Sequence, residues 1–191
     1  KRIQNAVPIS GNPVTEITNF NDYTFYENET SNLFATGRRW LGEEFSLENQ
    51  QTFQIPFFNV VQNEPLKIKV RAVGVSGLTS TIKVNVNSQE LFSLNFSAIS
   101  SGSDNLASDR IGSENFSNTS STVSVLLDYD NGGNPSARAY LDFIEISGKK
   151  QLISDGYQFS FRNFSAANTS GIVEYQIQNS QNIYQIWEVS D

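Results

Sequence analysis

The side chains able to do chemistry here are carboxylates and guanidinium groups, because the sequence contains no His and no Cys. Without Cys there is no thiolate nucleophile, no thiolate metal site and no disulfide framework. Without His the commonest general base is missing, and with it the Ser–His–Asp and Cys–His arrangements. A carboxylate pair remains, as in glycoside hydrolysis, where two acids stand about 5–10 Å apart. Glu43 and Glu44 are adjacent, and Asp142 and Glu145 are three apart. On a regular strand either spacing sends the two side chains to opposite faces, so neither makes a pair by itself. Solvated or hydrogen-bonded acids are the plainer reading. Asp142 lies inside Tyr140-Leu141-Asp142-Phe143-Ile144, where a buried acid needs partners, and is read as a structural acid.

Two other local features carry charge. Asp128-Tyr129-Asp130-Asn131-Gly132 has the opening of a calcium loop, but Ala139 stands at the twelfth position, where an EF-hand needs an acid. Asp128 and Asp130 are therefore candidates only for structural calcium, against a plain hairpin loop. Thr36-Gly37-Arg38-Arg39-Trp40 sets two Arg beside a Trp. Such a group can dock a carboxylate or stack on a partner's ring; equally, one Arg can cover the Trp face while the other is solvated. No catalytic, cofactor-binding or committed metal residue is expected.

These residues must be positioned by strands. In Leu66-Lys67-Ile68-Lys69-Val70-Arg71-Ala72 the apolar residues face one way and the cations the other. Thr81-Ile82-Lys83-Val84-Asn85-Val86 and Tyr157-Gln158-Phe159-Ser160-Phe161-Arg162 repeat the alternation. That is the pattern of antiparallel sheets with one buried side. Residues 122–129 and 138–147 are expected to form a hairpin around the turn-rich 130–135 loop. A second hairpin is expected for 82–86 and 90–96, turning at Asn87-Ser88, and a third for 172–177 and 183–189. Helical signals are weak, with room for one short turn near 33–40. Residues 97–118 read as a polar surface loop anchored by Leu106, Ile111 and Phe116. The expected fold is an all-β antiparallel sandwich, jelly-roll-like, of about nine to eleven strands. Residues 1–19 are expected to be a lead-in strand or extension and 20–191 a single domain, with a minor boundary near 148–151.

The chain has 191 residues, which suffices for one domain burying about 70% of the surface of its unfolded chain. It begins at Lys1 and contains no Met, so it is expected to be an excised piece of a longer protein. The net charge of −7 and the absence of any long basic cluster argue against nucleic acid. No apolar run approaches the roughly 20 residues that span a bilayer. Trp40, Trp187 and the many Phe and Tyr fill a core or form a sugar-stacking platform, and core is the commoner use. Six Asn-x-Ser/Thr triplets occur, against about four by chance at this composition, so they say little about glycosylation.

Tyr26-Glu27 followed by Gly37-Arg38-Arg39-Trp40-Leu41-Gly42-Glu43-Glu44-Phe45 resembles the N-terminal region of the gingipain-like sortases of the type IX secretion system in Bacteroidota. Those carry a Tyr-Glu pair and then a Gly-Arg-x-Trp-aromatic-Gly-Glu-x-Phe run; Leu41 departs from the aromatic. Tyr140-Leu141-Asp142-Phe143-Ile144 and Ile186-Trp187-Glu188-Val189-Ser190 are similar to later segments of the same region. The resemblance implies a β-rich, non-catalytic part of a cell-surface cysteine peptidase. That peptidase removes the C-terminal sorting domain of secreted cargo and joins the cargo to anionic lipopolysaccharide. Its Cys and His lie outside this chain. The implied partners are the chain's own downstream peptidase domain, the outer-membrane protein PorV and cargo. Gly37, Arg38, Arg39, Trp40, Gly42 and Glu43 become the candidate docking or structural motif. The alternative is a jelly-roll carbohydrate-binding module of a larger secreted enzyme, and a carboxylate enzyme in its own right is a distant third.

Overall fold

A computed structural model describes residues 9–33 and 39–189. The chain divides into two units, Asp22–Lys149 and Lys1–Asn21 with Lys150–Asp191. The described residues form eleven strands: β1 (Thr15–Ile17), β2 (Asn19–Glu27), β3 (Glu44–Phe45), β4 (Gln50–Pro56), β5 (Leu66–Val75), β6 (Ser80–Val86), β7 (Gln89–Phe96), β8 (Ser108–Phe116), β9 (Thr122–Asp130), β10 (Arg138–Gln151) and β11 (Val173–Tyr175). Two single 3-10 turns are the only helical elements among the described residues. None is long and apolar enough to cross a membrane.

In the larger unit the alternation seen in the sequence becomes register. Ile68, Val70 and Ala72 of β5 are fully buried, while Lys67, Lys69 and Arg71 point the other way. β5 lies between β10 and β8 in a five-stranded sheet ordered β2-β10-β5-β8, with β3 also on β10. The second sheet is ordered β4-β9-β6-β7, and the registered pairs of both sheets are antiparallel. One core joins them, with Ile68, Val70, Leu141 and Ile144 from the first and Phe53, Val84, Val125 and Leu127 from the second. This is a β-sandwich. Truncating a residue such as Ile144 to Ala costs about 2–5 kcal/mol.

Two expectations about connections in this unit are corrected. Residues 122–129 and 138–147 do not form a hairpin: β9 is flanked by β4 and β6, and β10 lies in the other sheet. With both its edges paired, β9 has no free ladder for β10, and the Asn131–Ala137 segment arches between sheets. Gly132 makes that arch possible, since it sits at φ +63° and a Cβ there would lie 2.0 Å from the Thr79 carbonyl oxygen. Residues 97–118 are not all loop, because β8 pairs with β5 along its whole length. β8 escaped the apolar pattern because its inward position Gly112 faces Phe92 and Leu94, which would lie 2.6 and 2.9 Å from a Cβ there. Side chains of β7 thus fill the space that apolar residues of β8 would have taken. The hairpin of β6 and β7 does form at Asn87 and Ser88, both left-handed at φ 50° and 71°.

In the smaller unit β1 pairs in parallel with β11. The third expected hairpin is absent: β11 takes β1 as its partner, and residues 183–189 form no strand. Asn179 turns left-handed at φ 55° into the 3-10 turn Ser180–Asn182 and carries the chain away from the ladder. Residues 157–162 also form no strand; the segment meets Asn21 through a single bridge at Arg162. Its alternation is nonetheless real, since Phe159 and Phe161 both pack on buried Phe20, with ring centroids 6.2 and 6.4 Å away. Asn163 is buried and holds the loop, donating to the Asn19 carbonyl (3.0 Å) and accepting from the Ser165 and Ala166 amides.

Candidate functional site

The charged residues singled out by sequence meet on the outer face of the five-stranded sheet, and a bulge in β10 brings them there. Leu141 pairs with Ala72 and Phe143 with Arg71, so Asp142 is an extra residue between two consecutive partners. The extra residue shifts the alternation by one. Asp142 and Glu145 consequently share the outer face, contrary to the expectation for an unbroken strand. Glu145 pairs with Lys69 at 3.0 Å, and Asp142 lies 3.5 Å from Arg71, two residues along β5.

Asp142 is buried and accepts a 2.6 Å hydrogen bond from the Arg39 guanidinium. Arg39 also grips Asp109 of β8 with two contacts, at 2.9 and 3.4 Å. Arg71 reaches the same carboxylate from β5, at 2.6 and 3.2 Å. Two guanidinium groups and two carboxylates thus form a closed cluster of zero net charge. Partial burial pushes the Asp109 carboxyl up, but the hydrogen bonds and charges of Arg71 and Arg39 outweigh it and hold it down at about 2. An acid so held has no proton to give near neutral pH, and its oxygens are occupied by donors. The cluster is built to fix Arg39 against the sheet.

The residues after Arg39 are fixed as firmly. Leu41 exchanges backbone hydrogen bonds with Ser31, and the Gly42 amide donates to the Leu141 carbonyl at 2.7 Å. A Cβ at Gly42 would lie 2.9 Å from the Asn28 carbonyl oxygen, so the close approach needs glycine. Glu43 accepts from the Tyr26 hydroxyl at 2.5 Å and from the Asn28 amide at 3.1 Å. Burial, then the hydrogen bond and charge of Glu43, push the Tyr26 hydroxyl up to about 12. Glu44 pairs with Arg138 and Tyr140 of β10. Trp40 alone in this stretch turns outward and is 42% exposed. Gly37 and Arg38 lie outside the described residues, as does most of the expected 33–40 turn.

Asp128 and Asp130 sit two apart on the outer face of β9, in the other sheet. The Asp130 carboxylate caps the following turn, accepting from the Gly132 amide at 2.9 Å. Among the described residues no group of three or more acidic side chains converges as a metal site would require. Sequence reasoning missed Arg71 and Asp109. The available signal was the wet face of β5, whose cations needed acids opposite them on β8.

No protein-family model and no curated protein matches the chain. Among solved structures, it superposes on dimeric latent PorU from Porphyromonas gingivalis with a TM-score of 0.73 and 19% identity, over 93% of this chain. The fold is shared with PorU. The chain spans 17% of the length of that PorU chain. Weaker likenesses are to a CBM36 carbohydrate-binding module in complex with calcium and xylotriose and to the CBM36-1 domain of a multidomain xylanase from the hindgut metagenome of Trinervitermes trinervoides. The first has a TM-score of 0.41 and 16% identity, covering 68% of this chain and 99% of the module. The second has a TM-score of 0.43 and 11% identity, covering 66% and 98%.

Proposed function

We propose that this chain is a non-catalytic accessory and docking domain of a gingipain-like sortase that processes the C-terminal sorting domains of type IX secretion cargo. The observation that carries the reading is the fold shared with PorU over 93% of the chain. The Gly37-to-Phe45 run adds to it, as does a sequence with neither Cys nor His to act as peptidase nucleophile or base. On this reading the domain works exported, at the cell surface, and the peptidase chemistry belongs to another part of the same protein.

The arrangement of the motif suggests a division of labour. Arg39, Gly42 and Glu43 are committed to internal partners, which holds the backbone rigid. Trp40 is thereby presented at a fixed place, and exposed Trp residues held by a rigid frame are favoured anchors at protein interfaces. The expected partners are the parent protein's own peptidase domain first, then PorV and cargo. Replacing Trp40 by a photo-crosslinking phenylalanine analogue in the parent protein on cells tests this. Cross-links to the peptidase domain, PorV or cargo are expected, and a position 40 that captures none of them removes the docking role. A parent reading frame without a peptidase Cys and His would remove the sortase assignment itself.

A further inference from the structure

A groove of about 670 Å³ opens at one end of the four-stranded sheet, away from the motif just described. Every side chain lining it is an amide or a hydroxyl. Its floor is preorganised. Buried Asn118 accepts from the Asn87 amide at 3.0 Å and donates to the Ser120 carbonyl at 2.5 Å. Asn87 in turn accepts from the Ser124 amide at 3.1 Å, and its left-handed backbone at the β6–β7 turn fixes where it stands.

The rim is different. Gln54 donates to the Ser124 hydroxyl at 3.0 Å, which leaves the Gln54 carbonyl free to accept and the Ser124 hydroxyl free to donate. The hydroxyls of Ser117, Thr119 and Thr122 make no hydrogen bond to any described residue. Three groups that both donate and accept, one acceptor and one donor therefore face a common space on a fixed floor.

We propose that this groove binds a neutral oligosaccharide. The vicinal hydroxyls of a sugar donate and accept at neighbouring positions, which is what the rim offers. An anionic ligand would meet no cation in the lining, and an apolar one would meet no apolar side chain. With no aromatic ring to stack on, binding is weak, with Kd on the order of 1 mM. The site is independent of the accessory-domain reading and holds whatever protein the chain belongs to.

The test is an amide chemical-shift titration of the whole chain with cello-, xylo-, malto- and mannohexaose, each to about 10 mM. Oligogalacturonate of the same length serves as the charged control and a Gly-Ser peptide as the non-sugar control. At least one neutral hexaose is expected to give saturable shifts for residues 117–124, Gln54 and Asn87, with both controls at least tenfold weaker. Gln54→Ala and the near-isosteric Thr122→Val are each expected to weaken binding about tenfold without altering the rest of the spectrum. The proposal is overturned if no neutral hexaose saturates, if the controls bind as well, or if both variants bind as the parent does.

Discussion

The sandwich carries two polar regions that are built alike and finished differently. On the five-stranded sheet, Arg39, Arg71, Asp109 and Asp142 come from four separate segments and join into one cluster. At the end of the four-stranded sheet, amides and hydroxyls from β4, β9, the β6–β7 turn and the β8–β9 connection surround a groove. The charged region closes its carboxylates, each held by two guanidinium groups, and among the described residues the cluster's one buried side-chain atom without a hydrogen-bond partner is Arg39 Nε. The neutral region satisfies its floor and leaves its rim open. A charge taken partly out of water must find its partner inside the fold, whereas a hydroxyl at the surface loses little by facing solvent until a ligand arrives. The more conspicuous residues in the sequence are thus the structural ones, and the unremarkable Ser, Thr and Asn are those with bonding capacity to spare.

The largest expected effect tests the structural half. Asp142→Ala leaves Arg39 and Arg71 sharing one carboxylate and removes the acceptor at the bulge. We expect a loss of about 2–4 kcal/mol, read from the urea midpoint at constant m. Arg39→Met should cost a similar amount, about 2–4 kcal/mol: Arg71 still covers Asp109, but buried Asp142 loses its 2.6 Å hydrogen bond and keeps only a 3.5 Å contact with Arg71. The double variant should be less destabilised than the sum, by about 1 kcal/mol or more, since both changes dismantle one cluster. Additivity would mean that the four groups act separately.

How much of this was legible depends on the kind of signal. β5 and β6 were readable because each buries one face and wets the other, so period-2 alternation reports them directly. The left-handed pair Asn87 and Ser88 was readable because few residues accept that backbone. β8 was not, because its inward position Gly112 is filled by Phe92 and Leu94 of β7 and, apart from Phe116, its inward face carries no apolar residue. Which strand pairs with which was not readable between β9 and β10, since a turn-rich loop serves an arch between sheets as well as a hairpin. For the site, the need of Asp142 for partners was visible from its apolar neighbours. Its true surroundings were not, because a bulge is a backbone event that leaves no mark in the alternation of a single strand. The groove was invisible for a simpler reason: Ser, Thr, Asn and Gln are common throughout this chain, and only the fold gathers them.

Next in size are the pH dependences of the cluster and of the Tyr26–Glu43 pair. The Asp109 carboxyl, held at about 2 against an ordinary 3.8, favours the folded state above about pH 4. That contribution is lost as pH falls from about 4 to about 2, because the folded state then takes up a proton it had excluded. Asp109→Asn removes it, so the stability gap between parent and variant should narrow over that range and narrow further in high salt. A constant gap would deny Asp109 its part in the cluster. At the other end, the Tyr26 hydroxyl at about 12 against an ordinary 10.0 favours the folded state below pH 10 and loses that effect between pH 10 and 12. Tyr26→Phe should flatten the alkaline fall, measured as thermal midpoint against pH.

The smallest expected effect sharpens the comparison most. Gln54→Ala and Thr122→Val should each change stability by less than about 0.5 kcal/mol, because neither removes a bond that holds the floor. Gln54 is exposed and loses only its 3.0 Å contact to Ser124; Thr122 keeps its backbone amide bond to the Ser120 hydroxyl when its own hydroxyl is gone. Asn118→Ala is the contrast within the same groove. It strips both amide contacts from a buried position, and about 1–3 kcal/mol should follow. If the rim variants destabilise as much as Asn118→Ala, the rim is part of the scaffold and the two polar regions differ only in charge. If they leave stability unchanged, its open hydroxyls are not there for folding, and the distinction between a region closed on itself and a region open to a ligand stands on measured free energies.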